Sequence, residues 1–214
     1  MKYGYALFDL DGTLTESAPG ITNAAAYALK RFGVEAEPPE LEFFVGPPLH
    51  GSFMRCGLSD AQAREAISVY REYYVARGMF ENLPYEGVAD ALRRLKEAGV
   101  TLIVATSKPE PFAIKILEHF GLAEFFALIA GSTLDETRTS KRDVIEYALA
   151  SAGVSDRSGA VMIGDRSYDI EGAKQTGLAS MGVLYGYGSA EEFAEADYVA
   201  ETPADIADIL LAAS

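Results

Sequence analysis

Apolar and polar positions change period several times along the chain. Residues 3–10 form a short, mostly apolar run of strand length that stops at a polar turn, Asp9, Asp11, Gly12 and Thr13. From Gly87 onward the pattern is regular. A helical period over 88–98 precedes a β-branched run over 100–105, and a second helical period covers 110–120, with Gly99 and Gly121 closing the two helices. Strand-like 126–130, helical 141–152, strand-like 160–163, helical 169–176 and strand-like 179–184 follow, and a last helix spans 203–213. This alternation predicts βαβ units in an α/β fold: a Rossmann-like, doubly wound parallel sheet buried by helices on both faces. Ligands of such sheets bind at the carboxyl ends of the strands.

Between residues 16 and 85 the alternation stops. Helical periods at 21–32 and 61–79 are joined through Pro38, Pro39 and the stretch Phe44-Val45-Gly46-Pro47-Pro48-Leu49. The expected organisation is an α/β core of 1–15 and 86–214 with an inserted helical cap of 16–85. The insertion leaves just after the first carboxylate-bearing turn and returns near Pro84 and Gly87, so it is expected to stand as a lid above the strand ends. Tyr70, Tyr73 and Tyr74, at helical spacing, read as core of that cap. The chain has no internal repeat and no low-complexity linker.

Composition narrows the partners. Of 214 residues 49% are apolar, including 12 Tyr and 11 Phe, enough for a sizeable core. The formal charge of −14 makes an average surface that repels nucleic acid and anionic lipid, although a site can still gather local cations or a metal for an anionic small molecule. The single cysteine, Cys56, cannot form an intramolecular disulfide and reads as a small buried hydrophobe. The start, MKYGYALFDLDGT, reads as a strand and not as a leader, and no apolar run approaches the roughly 18–20 residues of a spanning helix. The expectation is a cytoplasmic protein, monomer or homodimer, with no nucleic-acid or membrane partner.

The chemistry sits at the predicted strand ends. Asp9 and Asp11 flank one residue, so continued strand geometry would turn both to one side, where they repel unless a cation or a proton intervenes. Gly164, Asp165 and Asp169 follow the strand 160–163 and place further carboxylates at a strand exit. Asp9, Asp165 and Asp169 could converge on one hard cation if their strands are neighbours. An all-oxygen donor set suits Mg²⁺, and the lack of a Cys or His cluster argues against zinc. Thr106 and Ser107 end the strand 100–105, where hydroxyls and backbone N–H groups could hold a phosphoryl oxygen. Lys141 opens a helix, where positive potential already exists, and this misfit hints at an anion. Lys108 reads as a solvated lysine. Taken singly, these features are also an Asx turn, a helix-end carboxylate, an ordinary cap and a surface lysine; their joint order is what is specific.

That order is Asp9-Leu10-Asp11-Gly12-Thr13, Thr106-Ser107, Lys141, and Gly164-Asp165-Arg166-Ser167-Tyr168-Asp169. With these segments and the helical insertion the whole chain resembles the haloacid dehalogenase-like hydrolase superfamily, in its helical-cap subgroup. Phe8 to Leu14, Gly46-Pro47-Pro48-Leu49 and Gly164-Asp165-Arg166 resemble its phosphoglycolate phosphatase-like branch more than the haloacid dehalogenases, which lack the second aspartate. The resemblance implies a phosphatase in which Asp9 attacks phosphorus to form an aspartyl-phosphate and Asp11 serves as acid and then base. It implies Mg²⁺ held by the Asp9 carboxylate, the Asp11 backbone carbonyl, Asp165 and Asp169, and phosphate held by Gly12, Thr106, Ser107 and Lys141. Ser107 departs from the asparagine frequent in that branch, and Arg166 is assigned to structural support. Substrate choice is expected from the cap, with Gly46, His50 and Arg55 as candidates and Arg55 as partner for a substrate carboxylate. The implied substrate is a small phosphorylated metabolite, phosphoglycolate first, then sugar phosphates and nucleoside monophosphates. A β-phosphoglucomutase-like phosphomutase and a non-catalytic regulatory protein are the alternatives; a receiver-like signalling domain is disfavoured because it has no cap.

Overall fold

The computed structural model describes residues 2–135 and 137–213. In chain order the elements are β1 (Tyr5–Phe8), β2 (Thr15–Glu16), α1 (Ala18–Arg31), α2 (Leu49–Arg55), α3 (Asp60–Ala76), β3 (Leu83–Pro84), α4 (Val88–Glu97), β4 (Thr101–Pro109), α5 (Glu110–His119), β5 (Leu128–Ser132), α6 (Lys141–Ser151), β6 (Ala160–Gly164), α7 (Ser167–Thr176), β7 (Ala179–Val183), β8 (Tyr198–Ala200) and α8 (Pro203–Ala212). Two compact units result, Met1–Thr15 with Pro84–Ser214, and Glu16–Leu83. The chain crosses between them through β2 and β3, which pair as a two-stranded sheet.

The first unit is built on a six-stranded sheet in the order β5-β4-β1-β6-β7-β8, parallel throughout. Its strands are nearly continuous apolar runs because both faces are covered. On one face Leu7, Ile103, Ala105, Ala130, Ala160 and Met162 pack with Val144, Ile145, Ala148 and Leu149 of α6 and Ala173 of α7. The alternate positions, among them Ala6, Phe8, Leu102, Val104, Val161 and Ile163, are equally buried, as the period of two requires when helices cover the second face as well. The order reverses beside β1: the chain moves outward from β1 through β4 to β5, then returns to the other side of β1 with β6. Crevices at such switch points, outside the strands' carboxyl ends, are where α/β sheets bind ligands.

The second unit is helical. Its α1 packs on α3, and an aromatic chain runs through its core: Phe44 against Phe53, Phe53 against Tyr70, and Tyr70 stacked on Tyr74. Tyr70 and Tyr74 are buried, while Tyr73 is half-buried and donates to Glu81 Oε1 at 2.9 Å. Ser59 and Gln62 form a capping box that starts α3.

Three local expectations change. Helix α2 occupies 49–55, starting at the end of the stretch Phe44-Val45-Gly46-Pro47-Pro48-Leu49 that reads only as a join between two longer helices; prolines at a helix start are compatible with it. Strand β8, only three residues long, carries no periodic signal of its own. Cys56 is half-buried and not a core residue. No helix of the described residues is long and apolar enough to cross a membrane.

Candidate active site

The candidate residues of the first unit collect at the carboxyl ends of β1, β4 and β6. Asp9 is the first residue beyond β1. Its N–H donates to Ile163 O at 2.9 Å, which extends the β1–β6 pairing by one step, and its Oδ1 accepts the Leu10 N–H at 2.7 Å. Asp165 follows β6, and Asp169 stands in the first turn of α7. Asp9, Asp165 and Asp169 each offer a carboxylate oxygen within 4.8 Å of the others. Asp165 and Asp169 are both 1% exposed.

Lys141 is the cation set against this cluster. Ser140 caps α6 by accepting the Asp143 N–H, which places Lys141 at the first helical position. Its Nζ lies 3.0 Å from Asp9 Oδ2 and 2.8 Å from Asp169 Oδ1, and donates to Ala105 O at 3.0 Å. Burial opposes its charge, but Asp169 and Asp9 outweigh that and hold the ammonium above the ordinary lysine range. One lysine cannot neutralise three carboxylates. Burial, then the charges of Asp169 and Asp9, push the Asp165 carboxyl far up. Burial also raises Asp169, against the pull of Lys141, to about 6.

These observations fit a hard divalent cation. The donors are carboxylate oxygens without sulfur or imidazole, their mutual repulsion is only partly offset by Lys141, and Asp165 Oδ1 is buried without a hydrogen-bond partner among the described residues. Asp165 Oδ2 is oriented by the Tyr187 N–H at 3.0 Å. Gly12 makes this packing feasible. It has φ +80°, and a Cβ there would stand 2.0 Å from Asp165 Oδ2 and 2.7 Å from the Tyr187 ring.

Asp11 behaves differently from the expectation of continued strand geometry. The strand ends at Phe8, and Asp11 pairs with another lysine, Lys108, at 2.7 Å. Lys108 was expected to be solvated; its side chain is 5% exposed. Asp9 and Asp11 therefore face separate cations. Thr106 is buried, and its Oγ1 accepts the Lys108 N–H at 3.2 Å, whereas Ser107 is exposed. The Arg166 side chain bonds outward, its Nε donating to Glu192 Oε2 at 3.2 Å, while its backbone N–H donates to Asp169 Oδ2 at 3.1 Å and its backbone O accepts the Asp169 N–H at 3.0 Å.

Sequence reasoning also missed the 185–188 segment. The Tyr185 hydroxyl donates to Thr13 O at 2.9 Å, and burial raises its pKa. Aromatics alternating with glycines after a strand were the available signal. In the second unit Gly46 has φ +98°, His50 Nε2 lies 3.1 Å from Asp60 Oδ1, and the Arg55 guanidinium lies over the Phe43 ring at 4.1 Å.

Known proteins are similar to this chain in sequence and fold. The family model described as haloacid dehalogenase-like hydrolase matches residues 6–183. A curated 5'-nucleotidase of Pseudomonas aeruginosa is 44% identical over 194 residues, covering 90% of this chain and 87% of its own. A phosphoglycolate phosphatase of Neisseria gonorrhoeae is 34% identical over 191 residues, covering 85% and 80%. Among solved structures, a predicted phosphatase from Clostridium acetobutylicum superposes with a TM-score of 0.92 at 46% identity, covering 98% of each chain. Protein tyrosine kinase A of Mycobacterium tuberculosis superposes with a TM-score of 0.84 at 40% identity, also covering 98% of each chain.

Proposed function

The chain belongs to the haloacid dehalogenase-like hydrolase family and is a phosphoric monoester hydrolase, and from that premise we propose that it cleaves small-molecule phosphate monoesters through a phosphoryl group carried on Asp9. The observation that carries this reading is the separation of the two aspartates. Asp9 lies 3.0 Å from Lys141 within the carboxylate cluster, and Asp11 lies 2.7 Å from Lys108. Two carboxylates in different electrostatic settings can divide nucleophile and acid–base work.

In the proposed first step an Asp9 oxygen attacks phosphorus. The P–O ester bond breaks, its electron pair goes to the leaving oxygen, and that oxygen takes the proton of Asp11. The alcohol leaves, Asp11 is a carboxylate and Asp9 is an acyl phosphate. In the second step Asp11 removes a proton from water, whose oxygen attacks phosphorus; the bond to Asp9 breaks, phosphate departs and both aspartates return to their starting state. Lys141 keeps a positive charge beside Asp9, without which an anionic ester would meet a like charge. Asp9, the Asp11 carbonyl, Asp165 and Asp169 would hold Mg²⁺, which when bound supplies charge neutralisation and orientation of phosphoryl oxygens. Thr106 brings a hydroxyl to the same strand ends, where Gly12, its own N–H donated to Thr15 O at 2.8 Å, gives the close backbone approach to Asp165, and Ser107, exposed at the end of β4, is the outermost candidate for phosphoryl contact. The insertion, with Gly46, His50 and Arg55, is the proposed source of substrate selectivity.

The resemblance alone ranks phosphoglycolate first. The 44% identity to a 5'-nucleotidase, against 34% to a phosphoglycolate phosphatase, supports testing nucleoside 5'-monophosphates with equal priority. The experiment is phosphate release from nucleoside 5'-monophosphates, phosphoglycolate, sugar phosphates and pyrophosphate, with Mg²⁺ and with EDTA, for the protein and Asp9→Asn. Expected are Mg²⁺-dependent release from a monoester and none from the folded variant. Normal turnover in Asp9→Asn ends the mechanism. The likeness to a tyrosine kinase favours one added arm, labelled ATP with a tyrosine-containing polymer, where label on the polymer would mean that a hydroxyl and not water accepts the phosphoryl group.

A further inference from the structure

Strand β4 does not end regularly. Ala105 pairs with Ala130 and Pro109 with Ser132, so four steps along β4 are matched by two along β5. The slack, Thr106 to Lys108, is a bulge at the carboxyl end of a strand next to β1. Bulges re-aim side chains, and they concentrate beside active sites.

This bulge is held from three sides. A Cβ on Gly131 would stand 2.6 Å from Lys108 O and 2.6 Å from the Glu110 backbone, so only glycine lets β5 lie this close. Glu110 Oε2 accepts the Gly131 N–H at 3.2 Å, and Arg138 donates to that same oxygen at 2.9 Å and to Gly131 O at 2.8 Å. Within the bulge the Lys108 N–H donates to Thr106 Oγ1. The result is a lysine side chain buried at its tip, 2.7 Å from Asp11 Oδ2. The other oxygen of that carboxylate, Asp11 Oδ1, is buried with no hydrogen-bond partner among the described residues.

We propose that Lys108 is a positioning residue: the β4 bulge aims its ammonium at Asp11 Oδ2, which fixes the carboxyl rotamer and leaves Oδ1 as the oxygen that passes the proton to and from the reacting oxygens. The inference rests on the acid–base reading of Asp11 given above. A carboxyl that is 17% exposed and anchored through one oxygen has few rotamers to offer, and a proton donor held at one geometry avoids the orientational cost of finding it. Lys141 performs no such service for Asp11, because its ammonium is taken by Asp9, Asp169 and Ala105 O.

The test exploits leaving groups. An aryl ester such as p-nitrophenyl phosphate expels a stable phenolate and needs no proton from Asp11, whereas an alkyl ester such as adenosine 5'-monophosphate, or whichever alkyl ester the panel above turns over, does. kcat/KM covers the steps up to transfer onto Asp9. General-acid catalysis is worth about 10²–10⁴-fold, so Lys108→Met should lose about 100-fold in kcat/KM on the alkyl ester and less than about 10-fold on the aryl ester. Lys108→Arg, which keeps the charge, should recover about tenfold of the alkyl loss, and Asp11→Asn should show the same unequal pattern as Lys108→Met. Lys108→Gln replaces the methionine variant if that one is not recovered folded. Equal losses on both esters in the Lys108 variants, or no loss, overturn the proposal. If Asp11→Asn itself loses equally on both esters, the acid–base reading beneath it fails first.

Discussion

Lys141→Met removes the one cation that, among the described residues, touches two members of the carboxylate cluster. The lysine side chain is 5% exposed and lies within 3.0 Å of both Asp9 and Asp169, so water cannot take over its work. Breaking a buried ion pair by deleting one partner costs about 3–5 kcal/mol, because the remaining charge stays buried. For a domain of this size each kcal/mol moves Tm by about 2–4 °C, so the metal-free variant should melt roughly 6–20 °C lower at pH 8. Two further readouts separate charge from packing. The deficit should shrink at pH 5, where the stranded carboxylates escape by taking up protons. Millimolar Mg²⁺ should raise Tm more in the variant than in the parent, since a bound cation replaces the missing charge and stabilises by mass action. Thermal unfolding followed by circular dichroism, in EDTA and in Mg²⁺ at both pH values, gives all three numbers. A drop below about 2 °C, or one that ignores both pH and Mg²⁺, would refute the electrostatic argument.

Two other outcomes follow from the same geometry. Gly12→Ala forces a side chain to φ +80° and within 2.0 Å of Asp165 Oδ2; the cost should be about 1–3 kcal/mol in urea unfolding, with a loss of phosphate release, and a variant of parental activity would show that Asp165 need not stay where it is. Asp169 titrates at about 6 in the fold against 3.8 unperturbed, so its contribution to stability is full below pH 3.8 and is lost as pH rises through 6. In EDTA the parent should therefore lose stability across that window relative to Asp169→Asn, whose urea midpoint should vary less with pH; parallel profiles would contradict the burial assigned to this carboxyl.

The alternating α/β plan and the residues that gather at its strand ends were legible in the amino-acid order. Both follow from local physics: apolar period sets strand or helix, and a motif such as Asp9-Leu10-Asp11-Gly12 must lie where a buried strand meets its turn. Even Lys141 was legible, because a cation at a helix start is out of place unless something anionic faces it. Tertiary structure decided which carboxylate faces which lysine. Asp9 and Asp11 look alike in the chain, yet one meets Lys141 from α6 and the other meets Lys108 from β4. Nothing in Thr106-Ser107-Lys108-Pro109 announces a bulge, since the two surplus residues exist only relative to the register of β5 and the closeness that Gly131 permits. Helix α2 and strand β8 were invisible for the same reason: elements of seven and three residues are held by the packing around them and not by a period of their own. Lys108 is buried only because residues far apart in the chain close around it, and that enclosure is a property of the assembled sheet that no local pattern encodes.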